Sequence, residues 1–147
     1  MADRIALFDL DGTLALIDHR RHLLDGTNEG WRAFYALCSK DEINPPVVAT
    51  FHAHRAAGHE VWIVSGRSDE ALADTNSWLE NNGLIPDKLI MREARDHQPD
   101  HKLKRSWLAS GRIPRDRVLC VYDDRSSVVA MWREEGLSCF QVAAGDF

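Results

Sequence analysis

A chain of 147 residues with 44% hydrophobic content suits one domain whose core needs no disulfide or structural metal, and it leaves no room for a second catalytic domain. Eighteen basic residues against 23 acidic ones set a net charge of −5, which excludes a broad electrostatic grip on nucleic acid; a polynucleotide would be held locally, near its end. The three cysteines, Cys38, Cys120 and Cys139, lie far apart and match no metal or redox spacing, so buried thiols in a reducing compartment are expected.

Met1-Ala2-Asp3-Arg4 leads directly into the first predicted strand, and no apolar run approaches the ~20 residues of a membrane span, so a soluble, cytoplasmic protein is expected. That strand, over Ile5, Ala6, Leu7 and Phe8, stops on Asp9 and Asp11, after which Gly12 lets the backbone turn away. In a parallel sheet the carboxyl ends of strands face the crevice where ligands bind. Two acids there suit a reaction in which one attacks and the other moves a proton, with a divalent cation offsetting their repulsion. The same residues would also serve an ordinary strand-to-turn junction.

Beyond Thr13 the chain turns polar and basic from Asp18 to His22, then runs Trp31, Phe34, Tyr35, Leu37 and Cys38 at helical spacing. A small helical cap inserted over the site, at about 15–43, is predicted. By residue type alone, Arg20, Arg21 and His22 read as a solvated face and the tryptophans as core. Asn44-Pro45-Pro46 predicts a helix start with Asn44 as N-cap and Gly58 as the stop. Val61-Trp62-Ile63-Val64 is the second strand and ends on Ser65-Gly66-Arg67; a helix over about 69–82 follows, closed by Gly83. Lys88 to Met91 is a third strand, Arg92 to Pro99 a charged loop, and Asp100 to Ser110 a helix stopped by Gly111. Val118 to Tyr122 is a fourth strand that again ends on paired acids, Asp123 and Asp124; a helix over 126–135 and a strand over 138–142 complete the chain. Strands alternating with helices predict an α/β fold, a Rossmann-like parallel sheet with helices on both faces.

Converging strand ends would gather Asp9, Asp11, Asp123 and Asp124 with Ser65, Arg67 and Lys104 in one crevice. Phosphoryl transfer needs those types: oxygen ligands for a hard cation such as Mg²⁺, positive groups for phosphoryl oxygens, and an in-line nucleophile. Taken singly, the residues have plainer readings. Asp123-Asp124-Arg125-Ser126 and Ser65-Gly66-Arg67-Ser68 would each make a polar loop with a helix cap, and Asp100 would pair with Lys104 at the i,i+4 spacing. A histidine zinc site is disfavoured because His97 and His101 straddle Pro99.

Asp9-Leu10-Asp11-Gly12-Thr13, Ser65-Gly66-Arg67, Lys104 and Asp123-Asp124 resemble the four ordered motifs of the haloacid dehalogenase-like phosphatases. A narrower resemblance, to the phosphatase domain of phage polynucleotide kinase-phosphatases, covers nearly the whole chain. It runs through Arg20, Met91-Arg92, Asp100 with Lys104, Asp123-Asp124-Arg125, the stretch from Val128 to Arg133 and the tail from Gln141 to Phe147. The resemblance implies a single phosphatase domain over 1–147 in which Asp9 is the nucleophile and Asp11 the acid and base. It implies Mg²⁺ held by Asp9, the main-chain carbonyl of Asp11 and Asp124, with Ser65 and Lys104 on phosphoryl oxygens. Arg20, Arg67 and Asp100 match substrate-binding positions, and Asp123 and Arg125 supporting ones. The implied activity is removal of a 3′-phosphate from a polynucleotide end. The kinase half is missing, and nothing matches G-x-x-x-x-G-K-[ST], so no 5′-kinase activity is expected.

About fifty residues separate Leu14 from the second strand, and a sheet-packing helix takes ~12 of them, which leaves only a small lid. An open crevice admits a polymer end, although a second copy of the chain in a homo-oligomer could also cover it. The enzymatic rival is a nucleotidase acting on free nucleoside monophosphates. A receiver-like signalling domain also gathers acids and a lysine around Mg²⁺, but it needs no Asp11 poised for a leaving alcohol. A catalytically idle assembly module is disfavoured by the intact set of acids.

Overall fold

The computed structural model describes residues 4–147, so the expectation for Met1 to Asp3 lies outside the described residues. In chain order the elements are β1 (Ile5–Phe8), β2 (Ala15–Leu16), α1 (Asn28–Ala36), β3 (Glu42–Ile43), α2 (Pro45–Ala56) and β4 (Glu60–Ser68). They continue with α3 (Leu72–Asn81), β5 (Lys88–Arg92), α4 (Asp100–Ala109), β6 (Val118–Asp123), α5 (Ser126–Glu134) and β7 (Cys139–Gln141). The main sheet is parallel in the order β5-β4-β1-β6-β7, so β1 is central and the ends of β4 and β6 flank its own.

The four residues of β1 are fully buried because a central parallel strand is covered on both faces. Its alternation deals the two faces out. Ile5 and Leu7 pack with Leu103 and Trp107 of α4 and with Val128, Val129 and Trp132 of α5. Ala6 and Phe8 pack with Val47, Val48 and Phe51 of α2 and with Trp78 and Leu79 of α3. Three parallel strands therefore end side by side on the same edge, with Asp9, Ser65 to Arg67, and Asp123 at their tips.

Several local expectations change in the fold. The segment 15–43 is tied at its base by the antiparallel pair β2 and β3, Ala15 opposite Ile43 and Leu16 opposite Glu42, which two-residue strands are too short to announce by periodicity. Within it α1 begins on Thr27, whose Oγ1 accepts from the Gly30 amide at 3.0 Å. Asn44 precedes α2 but its side chain does not cap it; Nδ2 donates instead to the Thr13 carbonyl at 3.0 Å, tying the insertion to the turn after β1. Strand β4 continues through Ser65, Gly66 and Arg67 to Ser68 by way of a bulge against β5, and the following helix starts with a 3₁₀ turn, Asp69–Ala71. All three cysteines are buried and free. Trp62, Trp78, Trp107 and Trp132 are core, whereas Trp31 is only half-buried. Among the described residues no helix is long and apolar enough to cross a membrane.

Candidate active site

Asp9 leaves β1 with its amide donating to the Tyr122 carbonyl at 2.9 Å, which carries the ladder one residue past the strand and sets Asp9 beside the end of β6. Lys104, on α4, reaches up from below: its Nζ donates to Asp9 Oδ1 and to Asp123 Oδ2, both at 3.0 Å. The ammonium is about 1% exposed, and burial works against its charge, but Asp123 and Asp9 outweigh that and hold it well above the usual lysine range. Thr13 Oγ1 donates to Asp9 Oδ2 at 3.1 Å, so both oxygens of Asp9 are oriented.

The paired acids after β6 divide their work. Asp123 is saturated: its Oδ1 accepts from the amides of Asp124 and Arg125, and its Oδ2 from Lys104 and from Trp132 Nε1 at 3.2 Å. Asp124 is not, and it lies over Gly12. A Cβ at Gly12 would sit 2.0 Å from Asp124 Oδ2, and the backbone there has φ +82°, so space and conformation both demand glycine. From the other side Gly145 leaves no room for a Cβ against the Asp124 carbonyl, at 1.9 Å.

Ligand oxygens of Asp9, Asp123 and Asp124 lie within 4.8 Å of one another, the acidic cluster among the described residues that could hold a metal ion. Burial, then Asp123, pushes Asp9 well above the usual carboxylate range and Asp124 up to about 6, so this corner carries more negative charge than Lys104 offsets. A divalent cation with oxygen ligands fits that surplus. Because Asp123 has spent its lone pairs, Asp9 and Asp124 are the better ligands; the Asp11 carbonyl, which accepts no hydrogen bond among the described residues, is a third. His97 and His101 join no such cluster.

The Asp11 carboxylate turns the other way. It receives Arg67 Nη2 on Oδ1 at 2.5 Å and Arg20 Nη2 on the same oxygen. Burial would raise its pKa, but Arg67 and Arg20 bring it down to about 2. Arg20 is fully buried while Arg21 and His22 are exposed, which splits the predicted solvated face. What buries it is Asp41, which accepts from Arg20 Nε at 2.8 Å and from Nη2 at 2.6 Å, while the guanidinium stacks over Phe34 at 4.1 Å. Asp41 also meets His19 at 2.5 Å and lies 3.7 Å from Arg67. Arg67 is anchored in turn on Thr75 Oγ1 at 2.9 Å. Sequence reasoning missed Asp41 because a single acid before a helix start carries no signal of burial.

Asp41→Ala should leave two buried arginines with Asp11 as their sole common carboxylate. We expect a loss of about 3–5 kcal/mol of stability, read as a lower urea midpoint, with the milder Asp41→Asn keeping part of the hydrogen bonding. An unchanged midpoint for Asp41→Ala would show that Asp11 alone suffices.

The pocket above these groups is lined by Asp9, Asp11, Arg67 and Asp124 below and by Trp31, Tyr35, Arg125 and Phe147 at its mouth. Asp100 stands at that mouth too. It does not pair with Lys104; its oxygens take Arg92 Nη2 at 2.6 Å and Arg125 Nη1 at 3.4 Å. Gly66 makes room for it, since a Cβ there would lie 2.1 Å from Asp100 Oδ1. Ser65 is buried at the strand end, where its Oγ accepts the Arg67 amide at 3.0 Å and keeps its proton free to donate.

The family model of the polynucleotide kinase PNKP phosphatase domain matches residues 3–147. A protein of Autographa californica nuclear polyhedrosis virus, described as a bifunctional polynucleotide kinase/RNA ligase, is 34% identical over 134 residues, covering 89% of this chain and 18% of the viral one. A chain in the structure of the Pnkp1/Rnl/Hen1 RNA repair complex superposes with a TM-score of 0.84 at 32% identity, covering 99% of this chain and 43% of that one. CbbY from Rhodobacter sphaeroides, solved with phosphate, shares the fold at a TM-score of 0.64 and 17% identity, covering 98% of this chain and 87% of its own. This chain thus spans less than half the length of the first two relatives.

Proposed function

Since the chain belongs to the phosphatase-domain family of polynucleotide kinase-phosphatases, within the haloacid dehalogenase-like phosphatases, we propose that it removes 3′-phosphates from nucleic-acid ends through an aspartyl-phosphate. The observation that carries the reading is the opposite setting of two acids two residues apart. Asp9 is aimed by Lys104 and Thr13, and Asp11 is held by two buried arginines, over one pocket.

In this reading an Asp9 oxygen attacks phosphorus and the bond from phosphorus to the nucleoside oxygen breaks, while Asp11 gives that oxygen its proton. Water then attacks the acyl-phosphate, Asp11 takes the proton back, and the bond from phosphorus to Asp9 breaks to release inorganic phosphate. Asp9, the Asp11 carbonyl and Asp124 would hold Mg²⁺, which when bound offsets charge on the phosphoryl oxygens and between the acids. Lys104 has a third N–H beyond the two spent on Asp9 and Asp123, and Ser65 a free O–H; both are offered to phosphoryl oxygens. Asp123 positions Lys104. Arg67 lines the pocket beside Asp11 and faces the incoming phosphate, Arg20 lies buried behind them and holds Asp11 in place, and Asp100, with Arg125 supporting it, meets the terminal nucleoside at the mouth. The insertion 15–43 acts as a cap that supplies Arg20, Asp41 and Trp31 and leaves the mouth open. A 3′-hydroxyl is the product a ligase needs, so the reaction belongs with end preparation of the kind the relatives' names describe.

The test compares a 3′-phosphorylated oligonucleotide, its 5′-phosphorylated counterpart and free 5′-nucleotides, each with and without EDTA. Turnover should favour the 3′-phosphate, fall to background on chelation and return with Mg²⁺. Preference for free 5′-nucleotides over every oligonucleotide would make the protein a nucleotidase, and full activity after thorough chelation would remove the metal.

A further inference from the structure

Of the three clustered acids, Asp9 and Asp123 are bonded directly to Lys104, and Asp124 is not. Among the described residues its carboxylate receives only a long contact from Thr13 Oγ1, at 3.5 Å, so its place is set through its main chain. The segment 141–147, which continues from β7, packs against that main chain. Gln141 Nε2 donates to the Asp124 carbonyl at 3.0 Å and to Ser126 Oγ at 3.1 Å. The Val142 amide donates to the Asp123 carbonyl at 3.1 Å, and the Gly145 carbonyl accepts the Ser126 amide at 2.8 Å. At Gly145 the approach leaves no slack. A Cβ there would stand 1.9 Å from the Asp124 carbonyl oxygen and 2.8 Å from Arg125 Cα, backbone atoms that no change of rotamer can move aside. Gly145 is not among the glycines of positive φ, so it is the contact and not the conformation that requires glycine.

A strap holds only if its ends are fixed, and this one is fixed at both. At one end β7 pairs with β6, Gln141 opposite Asp123. At the other the Phe147 ring carries two guanidiniums, Arg21 of the insertion at 4.4 Å and Arg125 at 5.2 Å, while its main-chain oxygen accepts Arg125 Nε at 2.6 Å. The repulsion among Asp9, Asp123 and Asp124 gives the strap something to resist. Outward movement of the loop 123–126 would relieve it, because inward movement is blocked where the Asp124 carboxylate already lies over Gly12. Mg²⁺ demands near-ideal octahedral geometry with oxygens at roughly 2.0–2.1 Å, so a loop free to retreat would take a ligand out of range.

We infer that the segment 141–147 is a positioning element for the metal ligand Asp124: Gln141 and Gly145 hold that residue close to Asp9 against their mutual repulsion, before any cation arrives, and Phe147 anchors the far end of the segment on the insertion. The inference rests on the divalent-metal reading of the pocket and is independent of which phosphate end is cleaved. Residues that contact neither metal nor substrate thereby set the affinity for the cation, as partners behind metal ligands do generally.

Titration with Mn²⁺, read as the electron paramagnetic resonance of the free ion, measures the site without turnover, and Asp124→Asn marks the binding that belongs to it. Gly145→Ala should bind Mn²⁺ about 10–100-fold more weakly than wild type, and Gln141→Ala about tenfold more weakly. Each should also need correspondingly more Mg²⁺ to reach half its maximal rate on p-nitrophenyl phosphate. Should Gly145→Ala fail to fold, Gln141→Ala decides alone, since it removes the hydrogen bonds to Asp124 and Ser126 and introduces no clash. Unchanged Mn²⁺ affinity in folded variants, even with a lower melting temperature in EDTA, overturns the positioning role. Wild type that binds no Mn²⁺, or Asp124→Asn that binds it equally well, overturns the metal reading and the positioning role with it. Wild type that binds Mn²⁺ through Asp124 but spares every 3′-phosphate overturns the 3′-phosphatase reading and leaves the positioning role to be decided by the variants' Mn²⁺ affinities.

Discussion

Asp9→Asn is expected to abolish phosphate release, by on the order of 10⁴-fold or more, because the amide keeps the shape of the carboxylate and loses its nucleophilicity. Lys104 would keep the amide oxygen, and the Thr13 hydroxyl, which can accept as well as donate, would take the amide NH2, so the site should stay assembled. The substitution should also stabilise the chelated protein. Asp9 and Asp124 bind their protons more tightly folded than unfolded, Asp9 well above the usual range and Asp124 up to about 6. Wherever the folded state holds more protons than the unfolded one, stability falls as pH rises. The metal-free wild type should therefore lose stability from about pH 4 through pH 6 and beyond, as these acids ionise in burial. At pH 7 in EDTA, Asp9→Asn removes one of the repelling charges and should melt higher than wild type. Turnover and melting in the same preparation check the assignment: near-wild-type turnover by folded Asp9→Asn takes the nucleophile's role from Asp9, and a lower Tm in EDTA refutes the charge surplus.

Asp11→Asn should lose most on substrates with poor leaving groups. Departure of a nucleoside alkoxide needs a proton in the transition state, whereas p-nitrophenolate hardly does, and general acid catalysis contributes about 10²–10⁴-fold. In the resting site Arg67 and Arg20 hold Asp11 ionised, at about 2. Of the two, Arg67 lines the pocket, so a bound phosphoryl group would compete for it, and the contact it takes from Asp11 would raise the pKa of the acid where a proton is required. Single-turnover measurements should show phosphoenzyme formation falling by about 10²-fold or more on a nucleoside phosphate and much less on p-nitrophenyl phosphate. Dephosphorylation, where Asp11 would act as base, should slow for both. Equal losses in the first step would take the proton-transfer role away from Asp11.

Much of this architecture is legible in the residues themselves. The apolar run from Ile5 to Phe8, the strand over Val61 to Val64 and that over Val118 to Tyr122 announce buried parallel strands, and each is followed at once by polar groups. Because parallel strands end on one edge, local periodicity alone brings Asp9, Arg67 and Asp124 to one pocket. The pairings are another matter. Lys104 bonds to an aspartate 95 residues away rather than to Asp100 four residues before it. A helix offers its i,i+4 neighbour only a weak exposed partner, and the packed sheet offers a buried one that a desolvated ammonium requires.

What the sequence by itself determined was the order of elements and the types of chemical group at the strand ends, since strand and helix periods and turn residues act within a window of a few residues. What only the tertiary structure decided was the state of those groups. It buried Arg20 against Asp41, 21 residues further on, while leaving Arg21 in water. It saturated Asp123 and left Asp124 open over a glycine, although the two are adjacent and identical in type. It drew Trp31 out of the core to the mouth. Burial and ion pairing depend on which distant side chains the packed sheet brings within a few ångströms, and no local pattern encodes that distance.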